Sequence, residues 1–214
     1  QLATCVREDV LAEDMDMAAA IHKCVNNLAS SGAKPVGIMM TLLFPEGAEE
    51  PELKKWMKEA EETCASLQIQ IAGGHTSVSK NVNKTMVVLT GYGQASKCFP
   101  TKGAKPGQDI VISKWIGLEG TAVLARDYKE KLLARYPEFL VDEAISFRQF
   151  LSIIPEAATA VKSGVCVMHD VSEGGIMAAL WELADSSGVG LNVDLRKIPI
   201  RQETVEVCEF LGAN

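Results

Sequence analysis

Val36 to Phe44 reads VGIMMTLLF, an uncharged run broken only by Gly37 and Thr41. It is far too short for a membrane span, which needs roughly 20 apolar residues. It has the length of a strand, and its apolar residues do not alternate with polar ones. Such a strand is expected to be buried on both faces. A chain that carries it must also supply layers to cover it. The flanking sequence offers them. Residues 14 to 31, DMDMAAAIHKCVNNLASS, place Met17, Ile21, Val25 and Leu28 at helical spacing. Gly32 then ends the helix and Pro35 prevents its return. Residues 52 to 66 form a second amphipathic helix, with Leu53, Trp56, Met57, Ala60 and Cys64 on one face.

Further strands are expected at 69–72 and 85–92. Residues 96–108, SKCFPTKGAKPGQ, concentrate Pro, Gly and Lys and read as a linker between two domains. Beyond it, strands are expected at 109–113, 165–168 and 191–193. Helices are expected near 119–134, within 141–163, at 174–186 and at 202–211. The domains are placed at 1–96 and 107–214, the first expected to be incomplete at its N-terminus and the second at its C-terminus.

Net charge is −7, which argues against nucleic acid or anionic lipid as a partner. An acidic chain still binds phosphates locally, through backbone amides and a bridging cation. The N-terminus, QLATCVREDV, has no basic segment followed by a long apolar one, so it does not read as a signal peptide. The six cysteines are scattered, with no CxxC pair and no zinc-ligand spacing. They read as reduced thiols of a cytoplasmic protein.

Three glycine-bearing motifs carry the candidate chemistry. Gly73-Gly74-His75-Thr76 follows a buried strand. Glycines admit close approach of a ligand, and consecutive amides form an anion-binding concavity. A tight turn with a hydrogen-bonded histidine fits the same residues. His169-Asp170-Val171-Ser172-Glu173-Gly174-Gly175 sets an acidic residue at a strand end and a glycine pair at a helix start. That suits a phosphate on the helix N-terminus, with a cation held by Asp170. Asp170 or Ser172 as a simple helix N-cap suits it equally. Gly117-Leu118-Glu119-Gly120-Thr121 is a third such turn, but no Walker GK[ST] follows, and an ordinary turn into a helix also explains it.

Three segments in fixed order, VNNLASSGAKPVGIMMTLLFPEG (25–47), IAGGHTSV (71–78) and MHDVSEGGIMAALWELADSSGVGLNVDLRKIPI (168–200), resemble the aminoimidazole ribonucleotide synthase (PurM-like) superfamily. The third segment and the tail KIPIRQETVEVCEFLG look most like its HypE-type hydrogenase maturation branch. The resemblance spans about residues 14–214. It implies an α+β fold with two PurM-like domains. The N-terminal domain would hold a mixed sheet with helices that dimerises into a barrel-like core. The C-terminal one would be a further α+β domain. It implies ATP and Mg²⁺ as cofactors, and phosphoryl transfer or dehydration of a small-molecule or protein-bound acyl or amide substrate. In the HypE branch that substrate is a carbamoyl group on a cysteine.

Carried onto this sequence, the resemblance makes Asp170 and His75 the catalytic candidates. It makes Asn27, Gly73, Gly74, Thr76, Gly174 and Gly175 the cofactor-binding ones, and Asn27 and Asp170 the metal ligands. Relatives place an aspartate where Asn27 stands, and asparagine brings no charge to a cation. An upstream strand of relatives adds another metal-binding aspartate, and the corresponding region here reads LATCVREDV. His75 stands where several relatives carry a carboxylate. These departures leave two readings: an ATP-dependent enzyme, and a homologue that keeps the fold and dimer without turnover.

Overall fold

The computed structural model describes residues 1–11 and 16–213. In chain order its elements are β1 (Leu2–Val10), α1 (Met17–Ser30), β2 (Lys34–Pro45), α2 (Glu50–Ser66), β3 (Gln70–Ser79), β4 (Met86–Gln94), α3 (Leu118–Asp127), α4 (Lys129–Leu133), α5 (Glu138–Ser146), α6 (Ile154–Ser163), α7 (Gly175–Ser187) and α8 (Gln202–Leu211). The chain divides into two compact units, Gln1–Pro100 with Ile153–Asp170, and Thr101–Ser152 with Val171–Asn214.

The first unit is built on a four-stranded mixed sheet of order β1-β4-β2-β3. β4 runs antiparallel to both β1 and β2, and β3 runs parallel to β2. A parallel pair cannot be joined by a tight turn, and α2 supplies the crossover. One face of the sheet, with Ile38, Met40, Leu42, Val87 and Leu89, packs against Met17, Ile21, Cys24 and Val25 of α1 and Trp56, Ala60 and Cys64 of α2. Each fully buried Ile, Leu or Val there contributes about 1.5–3 kcal/mol. Asp16 starts α1 by accepting from the Ala19 amide at 2.9 Å. The helix expected from residue 14 is thus seen from Met17, and positions 14 and 15 lie outside the described residues. Gly91 on β4 lets α1 close onto the sheet: a Cβ there would lie 2.8 Å from Cys24 Sγ.

Two expectations change. β2 is the predicted strand, but only its helix-facing side is buried; Val36 and Met39 on the other are 42% and 50% exposed. The sequence lacks alternation because both faces are apolar. The second change concerns IAGGHTS. β3 does not end at the glycines but runs through them to Ser79. They sit beside a bulge, where Ile38 pairs with Ile71 and Met39 with Gly73. A Cβ at Gly74 would stand 1.7 Å from the Met40 carbonyl oxygen, so the glycine permits close pairing of two strands.

The second unit is helical. Ala125, Leu132, Val141, Ala144 and Val207 form its core. Segments 109–113 and 191–193, expected as strands there, and 165–168 in the first unit, carry no ladder among the described residues. Their apolar residues suit a strand, but a strand also requires a partner edge. Among the described residues, no helix is long and apolar enough to cross a membrane.

Candidate functional site

The chain returns to the first unit at Ile153–Asp170, and α6 packs on α1. This return brings two predicted residues together across a long stretch of sequence. The Asn27 amide orientation is set by its neighbours. With its nitrogen toward Asp170, it donates to Oδ2 at 2.9 Å and to Oδ1 at 3.0 Å. Ser30, three residues on and therefore on the same helix face, shares its Oγ proton between Asp170 Oδ1 and the Asn27 backbone carbonyl oxygen, each at 3.1 Å. Asp170 is only 8% exposed. His169 turns Nδ1 to the Asp170 carbonyl oxygen at 2.6 Å, and the same nitrogen lies 4.0 Å from Oδ1.

The other arm of the Asn27 amide then points its oxygen at Cys5 Sγ, 3.5 Å away. Cys5 lies on the helix-facing side of β1, directly across the ladder from Gly91, where Cys24 also sits. A hydrogen bond from Cys24 holds the Cys5 thiol below the usual range, against the opposing effect of burial. The same bond and burial push Cys24 upward. The sequence reading missed Cys5, Cys24 and Ser30. Only the Asn27–Ser30 helical spacing was available to signal any of them. Cys5 answers the question left by LATCVREDV: the upstream strand turns a thiol toward Asn27.

The motif Gly73–Thr76 lies on β3, at the opposite sheet edge from β1. Three strand spacings separate the edges, roughly 14 Å. Its residues are exposed, and they divide between the faces. His75 pairs with Thr41 on the open face, whereas Gly74 and Thr76 pair with Met40 and Leu42 on the helix-covered side. Gly174 and Gly175 open α7 in the second unit with left-handed backbone, at φ +76° and +64°. Among the described residues, no side chain caps this helix start. Asp170 and Ser172 therefore do not act as its cap, and the Ser172 carbonyl instead accepts from the Gly175 amide at 3.0 Å. At the third motif, Gly117 starts α3, and Thr121 spends its hydroxyl on Thr204 at 3.0 Å inside the second unit.

Mg²⁺ favours oxygen ligands, commonly one or two carboxylates together with phosphates and water. Around Asn27 there is one carboxylate, and its oxygens already accept two amide contacts and a hydroxyl. Its neighbour Cys5 offers sulfur, a soft donor that suits Mg²⁺ poorly. No group of three or more His, Cys, Asp or Glu side chains among the described residues is placed to hold a metal ion. The residues as arranged do not fit Mg²⁺.

Both parts of the chain match known families. Residues 7–95 match the AIR synthase related protein, N-terminal domain, and residues 105–212 match the C-terminal domain of the same family. The chain belongs to the AIR synthase related protein family. Within it, the chain is similar to the carbamoyl dehydratases HypE of Rhizobium leguminosarum bv. viciae, at 27% identity over 197 residues, and of Cupriavidus necator, at 28% over 200. Each alignment covers 90% of this chain and 54% of the relative, so the chain spans about half the length of these curated relatives. Among solved structures, HypE in complex with ATP matches with a TM-score of 0.83 at 21% identity, covering 100% of this chain and 64% of that one. HypE in a HypE–HypF complex matches at 0.81 and 23%, covering 100% and 70%. These likenesses establish a two-domain, PurM-like α+β fold.

Proposed function

We propose that this chain is the ATP-binding part of a HypE-like protein acting in hydrogenase maturation, with a carbamoyl or related amide group as its substrate. The carrying observation is the pairing of both AIR synthase related domains with similarity to carbamoyl dehydratases over 90% of the chain. The ATP-bound relative with the same fold supports the choice of nucleotide. Chemistry of this class rests on positioning and on neutralising phosphate charge, with few covalent steps from the protein. Backbone amides around Gly73, Gly74 and Thr76 are the phosphate contacts assigned in the first unit; in the second unit the α7 start at Gly174 is a separate candidate, where the Gly175 amide is already spent on the Ser172 carbonyl. His75 is assigned as a phosphate or amide partner. The divalent cation expected with ATP is not assigned to Asn27 and Asp170, because these satisfy each other.

The open face of the sheet supports a homodimer. Leu2 and Val6 of β1, Val88 of β4, and Met39 and Leu43 of β2 lie on it, with Val6 69% exposed. An apolar sheet face of this kind is expected to be covered. A cytoplasmic location accompanies this reading, with none of the six cysteines in a disulfide.

The Asn27–Asp170 contact favours a second reading, a homologue that binds ATP without turning it over. Phosphate release from ATP separates the two. Sustained release by the unaltered chain excludes the second reading. ATP binding without release, with Asn27→Asp gaining Mg²⁺-dependent release, establishes it. No saturable ATP binding overturns both.

A further inference from the structure

The segment Ile153–Asp170 is tied to helix α1 at both of its ends, and by adjacent residues of the helix. At the start, the Ile153 amide donates to Asn26 Oδ1 at 3.0 Å. At the end, Asn27 donates to both Asp170 oxygens at 2.9 and 3.0 Å, and Ser30 adds a contact at 3.1 Å. Between the ties, α6 lies on α1, and Ile154 joins the core of the first unit. We propose that Asn26, Asn27 and Ser30 form a clasp that seats this segment, and that Asp170 is its acceptor, a positioning residue and not a cation ligand.

Three features lead there. A carboxylate has about four lone-pair sites, and neutral protein donors already make three contacts with Asp170. Asp170 is 8% exposed, so a cation would have to displace a donor and enter a closed position. The consecutive asparagines act at opposite ends of one segment, which a metal site does not require. The clasp thus explains why an amide stands at Asn27: an aspartate there would set two carboxylates about 3 Å apart with no cation between them. The inference lies within the first unit and needs no nucleotide, so it stands or falls separately from the proposed function.

The test uses the protein without nucleotide, with thermal melting as one readout and Mn²⁺ binding by electron paramagnetic resonance as the other. Asp170→Asn keeps an oxygen facing Asn27, and its amide nitrogen can donate to the Ser30 hydroxyl. A clasp therefore predicts a melting temperature within about 2 °C of the unaltered protein. Asp170→Ala and Asn27→Ala are each expected to lower it by about 5 °C. Millimolar Mn²⁺ should neither raise the melting temperature nor show binding that depends on Asp170. Sub-millimolar Mn²⁺ binding abolished by Asp170→Asn would overturn the proposal. So would Asp170→Asn destabilising as much as Asp170→Ala. If Asp170→Ala does not fold, the Asn variant and the Mn²⁺ titration still decide.

Discussion

At the scale of single residues, Cys5 is the group whose chemistry the fold changes most. Its thiolate is held by the hydrogen bond from Cys24, which fills the space left by Gly91. An ordinary thiol gains reactive thiolate about tenfold per pH unit below its pKa of roughly 8.5. With its pKa lowered by the Cys24 hydrogen bond, Cys5 should alkylate with a much shallower rise from pH 7 to pH 9 than an ordinary thiol. Peptide mass spectrometry after brief iodoacetamide treatment measures this, and a steep rise over that range contradicts it. The stability sign follows from the same shift. A depressed folded pKa stabilises at alkaline pH, and the contribution fades as pH falls below the unfolded thiol value and through the lowered folded one. None of this was legible in LATCVREDV, because the pairing of Cys5 with Cys24 requires the β1–β4 register and the placement of α1. Asn27 and Asp170 were legible as separate candidates through the family resemblance. Their contact was not, since they lie 143 positions apart along the chain and the chain leaves the first unit between them.

Among the elements, α1, β2, α2 and β4 followed from periodicity and punctuation. Each carries a local signal: helical spacing closed by Gly32, an uncharged apolar run, an amphipathic face, a β-rich run. β3 was cut short at Gly73 because glycine pairs usually mark turns. Here the pair serves close approach instead, and only the strand beside it reveals the need. Gly74→Ala forces a methyl group against the Met40 carbonyl and should break the β2–β3 pairing. The expected result is loss of soluble protein or a fall in melting temperature beyond about 5 °C. A melting temperature unchanged from the parent would show that β3 does not pair at this register.

For the molecule as a whole, the proposed homodimer rests on the apolar open face of the sheet. Met39 stands on that face at 50% exposure. Met39→Glu should therefore turn a dimer into a monomer without unfolding, as read by sedimentation velocity and circular dichroism. A monomeric parent protein would refute the assembly. The sequence could not separate a strand buried on both faces from one with an exposed apolar face, because both read as continuous apolar runs. The return of 153–170 to the first unit was equally hidden, since it leaves no mark in local composition. The proposed function stands on ATP binding by this chain. Calorimetric titration of the unaltered protein with ATP, in millimolar Mg²⁺, tests it most directly. Saturable binding of one ATP per chain is expected; an absence of saturable heat, confirmed by an absence of ATP-dependent thermal stabilisation, would refute it.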